Sequence, residues 1–113
     1  MKAFNFIKNG IFFLLPILLL VYSCDSKPSY IPQAHVVEIK DMKFQPAELN
    51  VHKGDTVIWI NKDIVAHDVT EDNKAWASPP LTTDAIWKNV ITKSDSYYCS
   101  IHVVMKGKLT VEE

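Results

Sequence analysis

The sequence predicts an all-β domain, a Greek-key antiparallel β-sandwich of seven to eight short strands. Three observations carry that expectation. From His35 onward apolar and polar residues alternate with period two, as in Val37-Glu38-Ile39-Lys40 and Leu49-Asn50-Val51. Turn-forming clusters at Lys53-Gly54-Asp55, Asn61-Lys62-Asp63, Ser94-Asp95 and Lys106-Gly107 cut the pattern into short runs. No stretch carries a long apolar face at helical spacing.

The chain opens differently. Lys2 and Lys8 precede a twelve-residue apolar run, Ile11 to Tyr22. That is too short to cross a bilayer as a stable helix and suits a secretory signal. The run ends in Val21-Tyr22-Ser23-Cys24, which resembles the lipobox of bacterial lipoproteins, where the cysteine is lipidated and becomes the new first residue. Residues 1–23 are therefore expected to be a lipoprotein signal peptide, and Cys24 the lipidation site. The expected location is the bacterial cell envelope, lipid-anchored, on its periplasmic or extracytoplasmic face. Residues 24–34, with Pro28 and Pro32, read as the lipidated cysteine and a flexible tether. Extended at about 3.1 Å per residue, Asp25 to Gln33 reaches roughly 25–30 Å. The folded domain then occupies residues 35–113.

Within it, Val37 and Ile39 mark one strand, and Leu49 and Val51 the next. Thr56 to Asn61 is rich in β-branched and aromatic residues, as in a strand covered on both faces. His67 to Glu71, Ala85 to Thr92, Ser96 to Ser100 and Lys108 to Glu113 complete the set. Residues 72–84, with Pro79 and Pro80, form an irregular stretch with room for one short helical turn. Trp59, Trp87, Phe44, Leu49, Val57, Val69, Val90, Tyr98 and Val111 are the expected core. Trp76 either covers that core or lies exposed. Tyr30 falls in the tether, and His35 and His52 are expected on the solvated surface.

Charge narrows the function. The full chain carries a formal charge of −1; without residues 1–23 it keeps 10 lysines against 13 acids, or −3, and it has no arginine. Nucleic-acid binding needs a concentrated basic surface and is excluded. There are two cysteines. With Cys24 lipidated, Cys99 is an unpaired thiol in an oxidising compartment, and a metal would occupy it; the rival is a Cys24–Cys99 disulfide.

Cys99, His102 and Met105 stand at three-residue intervals in Tyr97-Tyr98-Cys99-Ser100-Ile101-His102-Val103-Val104-Met105, between two strands. A tight loop there turns all three to one side, and His67, after the Asn61-Lys62-Asp63 turn, supplies a fourth donor. Two imidazoles and a thiolate in a plane with a distant thioether describe a blue copper site. Other readings are a buried cysteine with incidental neighbours, a zinc site, which has little use for methionine, and a copper site without redox work.

From about Val36 onward the chain resembles a small cupredoxin of the plastocyanin, amicyanin and pseudoazurin type. Phe44 to Asp63 resembles the opening strands, His67-Asp68-Val69-Thr70 the first histidine ligand, and Tyr97 to Glu112 the closing ligand loop and last strand. The resemblance implies an eight-stranded sandwich and one type 1 copper ion held by His67, Cys99, His102 and Met105. Where relatives often have asparagine after the first histidine, this chain has Asp68, and a hydrogen bond from Ser100 to Asp68 is expected to tie the two ligand segments. Ile64, Val65, Ala66, Ile101, Val103 and Val104 are apolar for loop residues and mark a partner-docking patch around His102. The expected function is a membrane-tethered one-electron carrier between redox proteins, its partner a cytochrome, a respiratory complex or a reductase. It is expected to be a monomer, without a small-molecule substrate, and not an enzyme; a copper chaperone or storage protein is the alternative.

Overall fold

The computed structural model describes residues 20–24 and 26–113. The expected signal peptide lies almost entirely outside the described residues, as does Asp25. Among the described residues eight strands form: β1 (Ala34–Lys40), β2 (Lys43–Gln45), β3 (Glu48–His52), β4 (Thr56–Asn61), β5 (Thr70–Glu71), β6 (Ile86–Val90), β7 (Asp95–Tyr98) and β8 (Lys106–Glu112). Alternation sets which residues turn inward. Val37 and Ile39 of β1, Val57 and Trp59 of β4 and Leu109 of β8 are buried, while Glu38, Lys108 and Thr110 between them are exposed. Among the described residues no helix forms, so residues 72–84 are turns and bridges instead of a helical turn.

The strands make two four-stranded sheets, ordered β2-β1-β4-β6 and β3-β8-β7-β5. This is the expected sandwich, but the sheets are mixed, not purely antiparallel. β1 runs parallel to β4, with Ala34 opposite Thr56 and Ile39 opposite Asn61, and β3 runs parallel to β8, with Glu48 opposite Lys108. Period-two alternation reports which face a residue occupies and says nothing about the direction of the neighbouring strand. The β1–β2 turn is made by Asp41 and Met42, both left-handed at φ 53° and 58°. Their N–H groups donate to the two carboxylate oxygens of Asp63 at 2.8 and 3.0 Å, which offsets the conformational cost.

Aromatic rings fill the space between the sheets. Trp59 of β4 sits opposite Trp87 of β6, with ring centroids 5.4 Å apart. Tyr97 meets Trp59 edge-on at 5.5 Å and Phe44 at 4.8 Å, and Trp76 closes the cluster, 6.0 Å from Trp59. Each such pair adds about 0.5–1.5 kcal/mol beyond its buried area. Trp76 thus covers the core. Two expected core positions are corrected. Val90 is 57% exposed at the end of edge strand β6, and in β7 it is Tyr97 that is buried, leaving Tyr98 half-buried. The reason is register: Tyr97 lies opposite Gly107 of β8, the one position there with room for a ring. Leu49, Trp87 and Val111 are only partly buried against this core.

The two ends of β4 are specialised. At its start Asp55, fully buried, accepts hydrogen bonds from the Tyr30 hydroxyl (2.7 Å), the Gln33 N–H (2.8 Å) and the His52 N–H (2.9 Å), and pairs with His35 Nε2 (2.8 Å). The Tyr30 ring stacks on His52 at 4.4 Å. Tyr30 is therefore held on the domain, and His35 and His52 are engaged instead of merely solvated. Burial alone would raise the Asp55 carboxyl, but the Gln33, Tyr30, His52 and His35 donors outweigh it and hold it far below the usual carboxylate range. A depressed folded value contributes stability above the unfolded value of about 3.9, and that contribution is lost as pH falls toward the folded one. The urea midpoint is expected to be flat from about pH 7 to pH 5 and to fall below about pH 4. The fall should be shallower in Asp55→Asn; equal slopes would show that Asp55 does not carry the acid sensitivity.

Candidate metal centre

At the other end of β4, buried Asn61 organises the loop that delivers His67. Its side-chain amide donates to the carbonyls of Val65 (2.9 Å) and Leu81 (2.7 Å), and its Oδ1 accepts the Asp63 N–H at 2.9 Å. His67 exchanges two backbone hydrogen bonds with Leu81, at 3.1 and 2.7 Å. It therefore lies in an isolated bridge, not at the head of the strand expected from His67 to Glu71; the regular pairing is confined to β5.

The His67 ring is fixed at both nitrogens. Nε2 donates to Asp63 Oδ2 at 2.7 Å, which places the ring proton there and leaves the Nδ1 lone pair facing inward. Burial works against ionised Asp63, but the Met42 N–H, the His67 ring and the Asp41 N–H outweigh it and hold its carboxyl below the usual range. Nδ1 of His67 lies 3.1 Å from Nδ1 of His102 and 3.7 Å from Cys99 Sγ, and the His102 nitrogen lies 3.8 Å from the same sulfur. All three donor atoms fall within 4.8 Å of one another. Cys99 and His67 are buried and His102 is half-buried.

Cys99 follows directly on β7, and its backbone closes the loop. The Cys99 N–H donates to the Met105 carbonyl at 3.1 Å and the Met105 N–H to the His102 carbonyl at 2.9 Å. Met105 is buried at the head of the last strand. The thiol accepts the Asp68 N–H at 3.4 Å. The Asp68 carboxylate in turn accepts the Ser100 N–H at 2.7 Å, the Ser100 hydroxyl and the Thr70 hydroxyl at 3.2 Å. The Asp68–Ser100 contact thus joins the segment after His67 to the segment after Cys99. Asp63 and Asn61 were not singled out as site residues in the sequence, where both read as turn chemistry. The available signal was a carboxylate four residues before a candidate ligand histidine.

Asp63→Asn is expected to weaken copper binding about 10- to 100-fold, the usual cost of losing an outer partner of a ligand histidine. Copper competition titration measures it; unchanged affinity would mean that Leu81 alone orients the ring.

Around this end of the domain Ile64 is 95% and Val104 84% exposed. Val65, Ile101 and Val103 are also exposed, and Ala66 is half-buried.

Residues 33–92 match the family described as copper binding proteins, plastocyanin/azurin family. That span includes His67 and ends before Cys99. The chain is 34% identical over 86 residues to amicyanin from Paracoccus denitrificans and 32% identical over 88 residues to amicyanin from Paracoccus versutus. Each match covers 70% of this chain, and the chain spans 66% and 65% of the length of these curated relatives. The crystal structure of Paracoccus versutus amicyanin is similar at a TM-score of 0.64 and 31% identity, over 70% of this chain and 81% of that one. A purple cupredoxin from Nitrosopumilus maritimus is similar at a TM-score of 0.64 and 28% identity, over 69% of this chain and 99% of that one.

Proposed function

Because this chain belongs to the plastocyanin/azurin family of copper-binding proteins, we propose that it carries single electrons between redox proteins of the cell envelope, using one type 1 copper ion held by His67, Cys99, His102 and Met105. The observation that carries this reading is the convergence of two imidazole Nδ1 atoms and one thiol within 4.8 Å at a buried point. Two nitrogens, a thiolate and a neighbouring thioether form the donor set that copper accepts in both oxidation states. When bound, the ion supplies the one-electron Cu(II)/Cu(I) couple.

The protein's part is to stay still. The Leu81 bridge and Asp63 hold His67, the Asp68 N–H holds the thiol, and the Asp68–Ser100 contact holds the two ligand segments together. Donors held this way move little when the charge at the site changes, which keeps the reorganisation cost of transfer low. Four protein donors leave no open position for a substrate, which favours a carrier over an enzyme. Enclosure of Cys99 and His67 favours a resident ion over one handed on by a chaperone.

Cys24 is the proposed lipid anchor and residues 24–34 the link to the domain, on the periplasmic or extracytoplasmic face. The apolar ring of Ile64, Val65, Ala66, Ile101, Val103 and Val104 is the proposed docking patch, with the surface edge of His102 as the electron port and a cytochrome, respiratory complex or reductase as partner. Adding Cu(II) to the purified protein tests the copper reading: it should turn intensely blue and bleach reversibly on reduction. A colourless protein that binds Cu(I) and releases it to an acceptor would favour the chaperone. Val103→Lys or Val104→Lys should slow electron exchange with the partner about tenfold or more by placing a charge in a desolvated contact, with the visible spectrum unchanged. Stopped-flow rates that do not move would put the port elsewhere.

A further inference from the structure

The tether and the metal centre sit at opposite ends of the sandwich. β1 and β4 run parallel, so the chain enters the domain at Ala34, beside Thr56, while Asn61 at the far end of β4 holds the His67 loop. β7 likewise starts at the tether end and delivers Cys99 at the other. At the tether end lies the buried Asp55 carboxylate with four donors, two of them from the tether: the Tyr30 hydroxyl and the Gln33 N–H. Gly54 is close to Pro32 of the same segment, and the Thr56 N–H donates to the Gln33 carbonyl at 2.9 Å.

We propose that Asp55 is a latch that clamps residues 30–33 to the domain, leaves only residues 24–29 to span from the anchor to it, and thereby keeps the metal end turned away from the bilayer. The orientation rests on the lipid-anchor reading above; the latch itself does not.

Lengths decide whether the latch matters. Seven-residue strands such as β1 and β8 span about 23 Å, a lower bound on the distance between the two ends. Ten free residues, 24–33, reach about 31 Å when extended, enough to let the domain turn over and lay its metal end on the membrane. Six free residues, 24–29, reach about 19 Å, which is too short for that inversion. The latch therefore selects a partner whose docking face stands clear of the bilayer surface. Ile31, 73% exposed beside the latch, is then an apolar residue presented on the membrane side.

The experiment uses the full lipidated chain, its copper reduced to diamagnetic Cu(I) and the reductant removed, in phosphatidylethanolamine–phosphatidylglycerol vesicles carrying nitroxide headgroups, with colour read on a reoxidised portion. Paramagnetic broadening of backbone amides should be strong at Gly54 and at least several-fold weaker at Val103. Exchange of the Gln33 amide should be at least about tenfold slower than that of Ser29. Tyr30→Ala should speed Gln33 exchange and at least halve the difference in broadening, leaving the copper colour intact as the check on folding; Asp55→Asn is the second variant. Equal broadening at the two ends overturns the orientation. A Gln33 amide exchanging as fast as Ser29 overturns the latch. Fatty-acid labelling lost in Cys24→Ser confirms the anchor. If wild type takes no label, the anchor reading and the orientation fall together, while Gln33 exchange still decides the latch.

Discussion

Replacing Cys99 with serine should abolish the intense colour expected of the copper-loaded protein and leave the domain folded. Cys99 is the sole sulfur anion available at the centre, since Cys24 is exposed and belongs to the tether end. The colour of a type 1 site comes from charge transfer between thiolate and copper, and a serine hydroxyl is neither ionised nor soft enough to replace it. Copper affinity should fall by more than about 100-fold, above the range seen when only an outer partner of a ligand is lost. The fold should survive because the serine oxygen can still accept the Asp68 N–H that now meets the sulfur. The net cost of burying that hydroxyl is about 1–2 kcal/mol. Visible spectroscopy with copper, together with urea unfolding of the copper-free protein, separates the two effects. Persistence of the blue band in Cys99→Ser would remove the thiolate from the site and overturn the assignment.

Gly107→Ala should be the most destabilising single-methyl change in the domain. A Cβ at position 107 would overlap Cζ, Oη and Cε2 at the hydroxyl end of Tyr97. The ring has nowhere to go, because Phe44, Trp59 and Trp76 surround it at centroid distances of 4.8, 5.5 and 6.1 Å. Either the ring leaves its rotamer or β8 moves away from β7. Overpacking costs about 1–3 kcal/mol, and a clash with a ring enclosed on three sides belongs at the upper end of that range. For a domain of total stability near 5–15 kcal/mol, that is a large share. A displaced β8 also shifts its neighbour Met105, so copper affinity should fall with stability. Guanidinium unfolding of Gly107→Ala, Tyr97→Leu and the double variant forms the cycle that checks the mechanism. The double variant should be more stable than the sum of the single losses predicts, with a coupling of about 1–3 kcal/mol. Strict additivity would mean that the clash is relieved some other way.

Much of the centre could be read before any coordinates because its chemistry is local. Cys99, His102 and Met105 lie within seven residues of one another, and the turn at Lys106-Gly107 already demands a tight loop. His67 is 32 residues away from Cys99; its place after a turn and the family resemblance both point to it, but no local pattern brings the two together. Asp63 had no such support: a carboxylate after Asn61-Lys62 serves equally well as a turn residue. Its double use, holding the Asp41-Met42 turn on one side and the His67 ring on the other, depends on contacts across 21–22 residues and across four.

The core divides along the same line. Alternation is a property of each strand alone, so the inward sides of β1 and β3 were readable residue by residue. Tyr97 and Tyr98 are adjacent, aromatic and equally good strand formers, and nothing local says which of them faces in. Gly107 on the partner strand makes that choice by leaving room for one ring. The Tyr30–Asp55 latch is of the same kind, a contact over 25 residues between a segment that reads as linker and a carboxylate that reads as turn. Backbone periodicity, turn chemistry and the clustered sulfur and imidazole donors are written into neighbouring residues. Strand direction, register and the partners of Asp55 and Asp63 arise when distant segments meet, because a short-range pattern carries no information about which other strand will supply the space or the donor.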